Sequence, residues 1–182
     1  MLASGWFVHR GFGRRISVKE VGSVAKAILL CGRICCGKST YAARLRQEHP
    51  AVVLSVDEIM LRLFGPYCGD LHDTYASRTQ DFLLRKSLEI LNAGVDVILD
   101  WGFWTVKSRE AARAFYAAHH IPCQLHYLNT PEALWQQRVA RRNRDITENG
   151  AEGYPVDREL AQKCSRLFEE PEAAEVDVWI DQ

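Results

Sequence analysis

Nowhere in this chain does an apolar run approach the roughly 20 residues that a helix needs to cross a bilayer, which excludes a membrane-spanning helix. An excess of charge of either sign is also missing, because 23 Lys and Arg balance 23 Asp and Glu. The balance is uneven along the chain. Residues 1–19 hold Arg10, Arg14, Arg15 and Lys19 and no acid, which leaves 19 basic against 23 acidic residues in the remainder. A domain of that sign is poorly suited to gripping a nucleic-acid backbone. The six cysteines, Cys31, Cys35, Cys36, Cys68, Cys123 and Cys164, do not repeat as the spaced pairs of a zinc site. Two of them lie in a glycine loop that a disulfide would deform, so reduced thiols in the cytoplasm are the simplest account. No internal repeat or low-complexity tract is evident either. What is present, 47% hydrophobic and 25% charged residues over 182 positions, describes one globular domain with an adequate core.

The most specific feature is Gly32-Arg33-Ile34-Cys35-Cys36-Gly37-Lys38-Ser39, followed by Thr40. Its spacing is that of a Walker A phosphate loop, in which main-chain N–H groups point inward around a phosphate and glycines keep side chains out of the way. Lys38 is placed to reach the β- and γ-phosphates of a nucleoside triphosphate such as ATP, and Ser39 to ligate Mg²⁺. The apolar run Ala27 to Cys31 before the loop and the helix-like Ser39 to His49 after it supply the context the motif requires.

Short Val-, Ile- and Leu-rich runs at 27–31, 52–56, 95–99, 124–128 and 176–180 alternate with stretches of helical length at 39–49, 71–92, 107–120, 132–144 and 157–168. That alternation predicts a three-layer α/β fold with a five-stranded parallel sheet covered on both faces. Asn92-Ala93-Gly94 suits a helix stop and Pro131 a helix start. Residues 1–24 read as an extension appended to a domain over 25–182. An organelle-targeting role for the extension is weaker than a plain disordered or upstream-start segment.

In open parallel sheets chemistry gathers at the carboxyl ends of the strands. Asp57 and Asp100 each follow such a run, at Val56 and Leu99. Either could serve only as a helix cap. Trp101, Phe103 and Trp104 cluster just beyond Asp100, where aromatic rings could stack on a small substrate or pack into the core. Asp70, His72 and Asp73, and Tyr67 with Cys68, are further candidates for an acceptor side, with a solvated loop as the plainer reading. Arg138, Arg141, Arg142 and Arg144 share a helix that runs into the loop-like Asn149 to Pro155, and residues 138–158 read as a lid.

The loop Gly32 to Thr40, Leu54-Ser55-Val56-Asp57, Val97-Ile98-Leu99-Asp100, the Arg138 to Arg142 stretch and Phe168-Glu169-Glu170-Pro171 together resemble the small P-loop kinases of the zeta-toxin, chloramphenicol phosphotransferase and polynucleotide kinase type, within the AAA-domain ATP-binding proteins. The resemblance covers about Lys26 to the C-terminus. It implies transfer of the γ-phosphoryl group of ATP to a hydroxyl, with Asp57 as the carboxylate that holds and deprotonates the acceptor. Asp100 would support Mg²⁺ with Ser39 or position the substrate beside Trp101 and Trp104. Arg138 and Arg142 match the lid arginines that cover the γ-phosphate. The chain departs from the pattern at Cys35-Cys36, where small Gly or Ser is usual, and at Met60, where many relatives have arginine. Thiols at that place, next to a helix N-terminus, are candidates for unusual acidity.

Three readings follow: a kinase acting on a small-molecule hydroxyl, a polynucleotide 5′-hydroxyl kinase opposed by the charge balance, and a nucleotide-dependent switch with no acceptor. The first is favoured, with ATP and Mg²⁺ as cofactors, a small-molecule acceptor as partner, and neither membrane nor nucleic acid.

Overall fold

The computed structural model describes residues 24–66 and 68–182; residues 1–23 of the extension and Tyr67 lie outside the described residues. The five apolar runs form one sheet of parallel strands in the order β2-β3-β1-β4-β5. The strands are β1 (Ala27–Cys31), β2 (Ala51–Ser55), β3 (Asp96–Gly102), β4 (Cys123–Asn129) and β5 (Val178–Asp181). Between them run α1 (Lys38–Glu48), α2 (Val56–Phe64), α3 (His72–Asn92), α4 (Val106–Ala118), α5 (Glu132–Asn149) and α6 (Arg158–Leu167).

The central strand shows why two layers of helix are needed. All five residues of β1 are buried, and successive side chains of a strand point to opposite faces. Ala27, Leu29 and Cys31 join a core with Leu83 and Leu91 of α3 and Ala112 and Tyr116 of α4. Ile28 and Leu30 join a second core with Tyr41, Ala42 and Leu45 of α1. The sheet is thereby closed on both sides, as its continuous hydrophobic strands require.

Element ends differ from expectation where local chemistry outweighs composition. β3 continues two residues past Asp100 through Trp101 and Gly102, because Cys31 of β1 pairs with Gly102 after a register irregularity. Asp100 is therefore inside a strand, and helix capping falls to Thr105, whose side chain accepts from Ser108 N in a reciprocal capping box. α5 runs five residues beyond the expected Arg144 and stops where Gly150 takes a left-handed conformation (φ 65°). Val176, expected in the last strand, belongs instead to the turn that follows a short 3-10 segment at Ala173–Glu175, and β5 begins two residues later.

The β2–β3 register aligns Ser55 with Asp100. That single pairing sets the α2 N-terminus, and with it Asp57, beside the end of β3 at the carboxyl edge of the sheet.

Candidate functional site

The phosphate loop is held through its carbonyls by side chains from three neighbouring segments. Gly32 O accepts from the indole Nε1 of Trp104 at 3.0 Å, and Ile34 O from the indole Nε1 of Trp135 at 2.7 Å. Cys36 O accepts from Arg138 Nη1 at 2.7 Å and from Thr130 Oγ1 at 3.4 Å. A glycine-framed loop fixed in this way at a helix N-terminus is the arrangement that binds an anion. Gly32 has φ 153°, and a Cβ there would lie 2.6 Å from Cys36 Sγ and 3.2 Å from Leu128 O. Gly37, with φ 99°, supplies the left-handed entry to α1. Cys35 takes a positive φ of 60° with a side chain attached, a conformation that glycine adopts without strain.

Lys38 folds its ammonium over the loop, donating to Arg33 O at 2.8 Å and Gly32 O at 3.1 Å. Those contacts hold it within the phosphate cradle. Arg33, expected to contribute to nucleotide binding, directs its side chain away from the loop: it pairs with Glu132 at 2.7 Å, donates to Thr130 O and stacks over Trp135 at 4.6 Å. Its part in the cradle is played by its backbone. Trp135 carried no sequence signal beyond an aromatic in a helix, yet with Arg33 it fastens α5 to the loop.

Asp100 is 5% exposed. Burial raises its carboxyl pKa, the nearby Ser39 hydroxyl and the Lys38 ammonium oppose that rise, and the charge of Asp57 adds to it. The Ser39 hydroxyl, the Asp100 carboxyl and the Lys38 ammonium thus face one another at the mouth of the loop. A hydroxyl with one carboxylate beside bound phosphates is the donor set that suits Mg²⁺, which keeps several waters and takes few protein ligands. Among the described residues no three His, Cys, Asp or Glu side chains gather as a metal cage.

Asp57 occupies the first turn of α2, but Ser55 is the cap, its hydroxyl accepting from Glu58 N at 3.3 Å. The Asp57 side chain is exposed. It makes no hydrogen bond or ion pair among the described residues. The capping alternative is therefore settled for both aspartates, since neither one caps its neighbouring helix.

The arginines divide. Arg138 is spent on the loop, on Cys36 O and on Gln182 Oε1. Arg142 donates from Nε to Tyr154 O at 3.2 Å, and its guanidinium lies beside the Cys35 thiol. Arg141 faces Asp145 at 3.7 Å on the exposed side of α5. Of the aromatic cluster, Trp104 gives its N–H to Gly32 O and packs on Gly102, which ties it to the phosphate loop. Trp101 is half-buried against Phe103, ring centres 5.2 Å apart. The expectation of acidic loop thiols is not met at Cys35, because burial pushes its pKa up more strongly than Arg142 draws it down.

Arg109 is the largest feature that sequence reading missed. It is fully buried, chelated by Glu175 at 2.7 and 3.1 Å, and it donates to the carbonyls of Phe103, Trp104 and Glu169. Glu169 in turn donates its N–H to Trp104 O at 2.8 Å and accepts from Val106 N. Phe168-Glu169-Glu170-Pro171, noticed for its resemblance, is thus a latch that holds the β3–α4 connection and Trp104 against the phosphate loop.

A family model described as AAA domain matches residues 28–171, from β1 through the latch. The chain belongs to the AAA domain family. In fold, this AAA domain is similar to a sugar kinase from Janibacter sp. HTCC2649, at 18% identity with a TM-score of 0.58 over 86% of this chain and 85% of that one. It is similar too to the Mycobacterium tuberculosis APS kinase solved with AMPPNP and APS, at 16% identity and TM-score 0.59, covering 88% and 90%. A chain of the Pnkp1/Rnl/Hen1 RNA repair complex aligns at 19% identity and TM-score 0.60, over 83% of this chain and 48% of that one. No curated protein matches the sequence. The AAA domain therefore has the P-loop kinase fold with an intact nucleotide loop, and among its described residues no helix is long and apolar enough to cross a membrane.

Proposed function

We propose that this AAA domain is an ATP-dependent kinase that transfers the γ-phosphoryl group to a hydroxyl of a small molecule. The observation that carries the reading is Asp57. It is an exposed carboxylate without a hydrogen-bonding or ionic partner among the described residues, near enough to Asp100 to act on its charge, in the first turn of α2 directly after β2, the strand that pairs with β3 and its phosphate-loop neighbour Gly102. Other exposed carboxylates are unpaired too; what sets this one apart is its place at the carboxyl edge of the sheet, close to Asp100, where strand-end chemistry gathers.

In the proposed mechanism the loop N–H groups and Lys38 hold the triphosphate, and Lys38 leaves Gly32 O and Arg33 O for the phosphate oxygens. Ser39 and Asp100 would hold Mg²⁺, which when bound neutralises charge on the phosphates. Asp57 orients the acceptor hydroxyl in line and takes its proton as the new O–P bond forms and the β–γ bridging bond breaks. Arg142, at the loop thiol Cys35, is the arginine best placed to meet charge developing on the transferred group, and residues 138–158 act as a lid that excludes water. Arg138 serves the same chemistry indirectly, by fixing the Cys36 carbonyl. Six unpaired cysteines suit a reducing, cytoplasmic setting.

The similarity to part of an RNA repair complex keeps a polynucleotide hydroxyl as the second reading. The excess of acidic over basic residues after residue 19, 23 against 19, weighs against a phosphodiester backbone. A transfer screen with γ-labelled ATP and Mg²⁺ tests both readings. Sugars, nucleosides, sugar nucleotides, aminoglycosides and 5′-hydroxyl oligonucleotides would be offered in parallel. Label on a small molecule is the expected result; label on the oligonucleotide alone moves the assignment to the second reading, and label released only as phosphate removes the kinase assignment.

A further inference from the structure

Tyr154 has a buried hydroxyl with no hydrogen-bond partner among the described residues. Buried hydroxyls are nearly always paired, because an unpaired one forfeits its hydration without return. Its ring meets His72 edge-on with centres 5.6 Å apart, and His72 Nδ1 lies 3.3 Å from Cys68 Sγ. The segment that bears Tyr154 is joined to α2, the helix of Asp57, by the Glu152–Arg62 ion pair at 3.1 Å. α6 reaches α3 through Lys163 and Asp73 at 3.9 Å. Burial first, then the charges of Asp57 and Cys68, hold the Tyr154 phenol above its ordinary pKa. The hydroxyl is therefore a neutral donor, in a segment that the Glu152–Arg62 pair ties to the helix of Asp57.

The other end of the same residue points to the nucleotide. Tyr154 O accepts from Arg142 Nε at 3.2 Å, and Arg142 adjoins Cys35 in the phosphate loop. Asn143 clamps the neighbouring Val156 in both directions, donating to its carbonyl and accepting from its N–H at 2.7 Å each. The backbone of Tyr154 is thereby fixed to α5 while its ring lies against His72 at the start of α3.

We propose that Tyr154 is an acceptor-positioning residue, whose hydroxyl hydrogen-bonds to a second oxygen of the molecule held at Asp57. The inference rests on the kinase reading and narrows its substrate class to small polyhydroxylated compounds that carry an oxygen next to the phosphorylated hydroxyl. His72 and Cys68 wall the ring on the side away from the nucleotide. Because the Tyr154 carbonyl also holds Arg142, an acceptor bound to the hydroxyl steadies the partner of the arginine nearest the loop.

The test compares the full-length protein with Tyr154→Phe, which removes one oxygen and keeps the ring against His72. Melting temperature is read first: no decrease, or a small increase, is expected, since no internal hydrogen bond is lost. A drop beyond about 3 °C overturns the proposal by showing that the hydroxyl has a partner within the protein. Kinetics follow on whichever panel sugar or nucleoside the wild type phosphorylates, together with its deoxy analogue lacking the adjacent hydroxyl. The acceptor KM should rise about 3- to 10-fold in Tyr154→Phe, with the KM for ATP held. The deoxy analogue should show the same rise with the wild type and little more with the variant. An unchanged acceptor KM, or additive losses, overturns the role of Tyr154 and leaves the kinase reading standing. Absence of transfer to every member by the wild type overturns both.

Discussion

Lys38 shows how closely single residues are committed in this site. Its ammonium is the only side-chain cation drawn onto the loop carbonyls of Gly32 and Arg33 among the described residues. Lys38→Ala is expected to abolish measurable ATP binding by calorimetry while leaving the melting temperature near that of wild type. Trp104 makes a sharper case, because its aromatic character suggests an acceptor platform whereas its indole N–H is given to Gly32 O. Trp104→Phe keeps the ring and removes the donor, so the KM for ATP should rise about 2- to 10-fold with the acceptor KM unchanged; a selective acceptor defect would return the ring to the acceptor side. His126 is a residue of a different kind, buried on β4 with Nδ1 3.0 Å from the Tyr41 hydroxyl and Nε2 without a partner among the described residues. Burial, helped by the charge of Lys26, pushes its pKa down from 6.5 to about 4. Between those values the unfolded chain binds a proton that the folded one refuses, so stability is level above pH 6.5 and falls as pH drops through the window. Denaturant titrations at pH 7.5 and 5 should show wild type losing about 2 kcal/mol more than His126→Leu.

At the scale of elements, what the sequence displays is periodicity and what it hides is partnership. All five strand centres and the phosphate loop could be read in advance, because buried parallel strands need continuous Val, Ile and Leu, and because the loop spacing is a mechanical requirement. Strand and helix ends were less legible. β3 outlasts its apolar run because Gly102 finds a main-chain partner at Cys31, and α5 outlasts its expected end until Gly150 permits a left-handed stop. Asp57 and Asp100 could be read as strand-end carboxylates, but which residue capped the adjoining helices could not, since Ser55 and Thr105 compete for the same orphan N–H groups. Arg109 was invisible for a related reason: an arginine in a helix reads as solvated until Glu175, 66 residues later, is seen to enclose it. That ion pair joins α4 to the C-terminal latch. Arg109→Met should lower unfolding stability by about 3 kcal/mol, because Glu175 and three carbonyls lose their donor together. A loss under about 1 kcal/mol would mean that the latch holds without it.

Across the whole molecule, the sheet order places two kinds of chemistry on one edge. β1 and β3 deliver the phosphate loop and Asp100, β2 delivers Asp57 one strand further out, and the segment after α5 bends back over both through Arg142 and Tyr154. The C-terminal strand β5 and its preceding latch close the other side, so the phosphate loop is braced directly from α5, and from α4 and the latch through Trp104. An assembly braced in this way holds the phosphate loop in place, with the unpaired Asp57 carboxylate beside Asp100 at the same edge. The measurement that bears most directly on this account is γ-labelled ATP transfer and ATP affinity in Asp57→Asn beside wild type. The account predicts an ATP dissociation constant within about 2-fold of wild type and a loss of transfer of about 10² to 10⁴. Transfer at the wild-type rate in Asp57→Asn would contradict it.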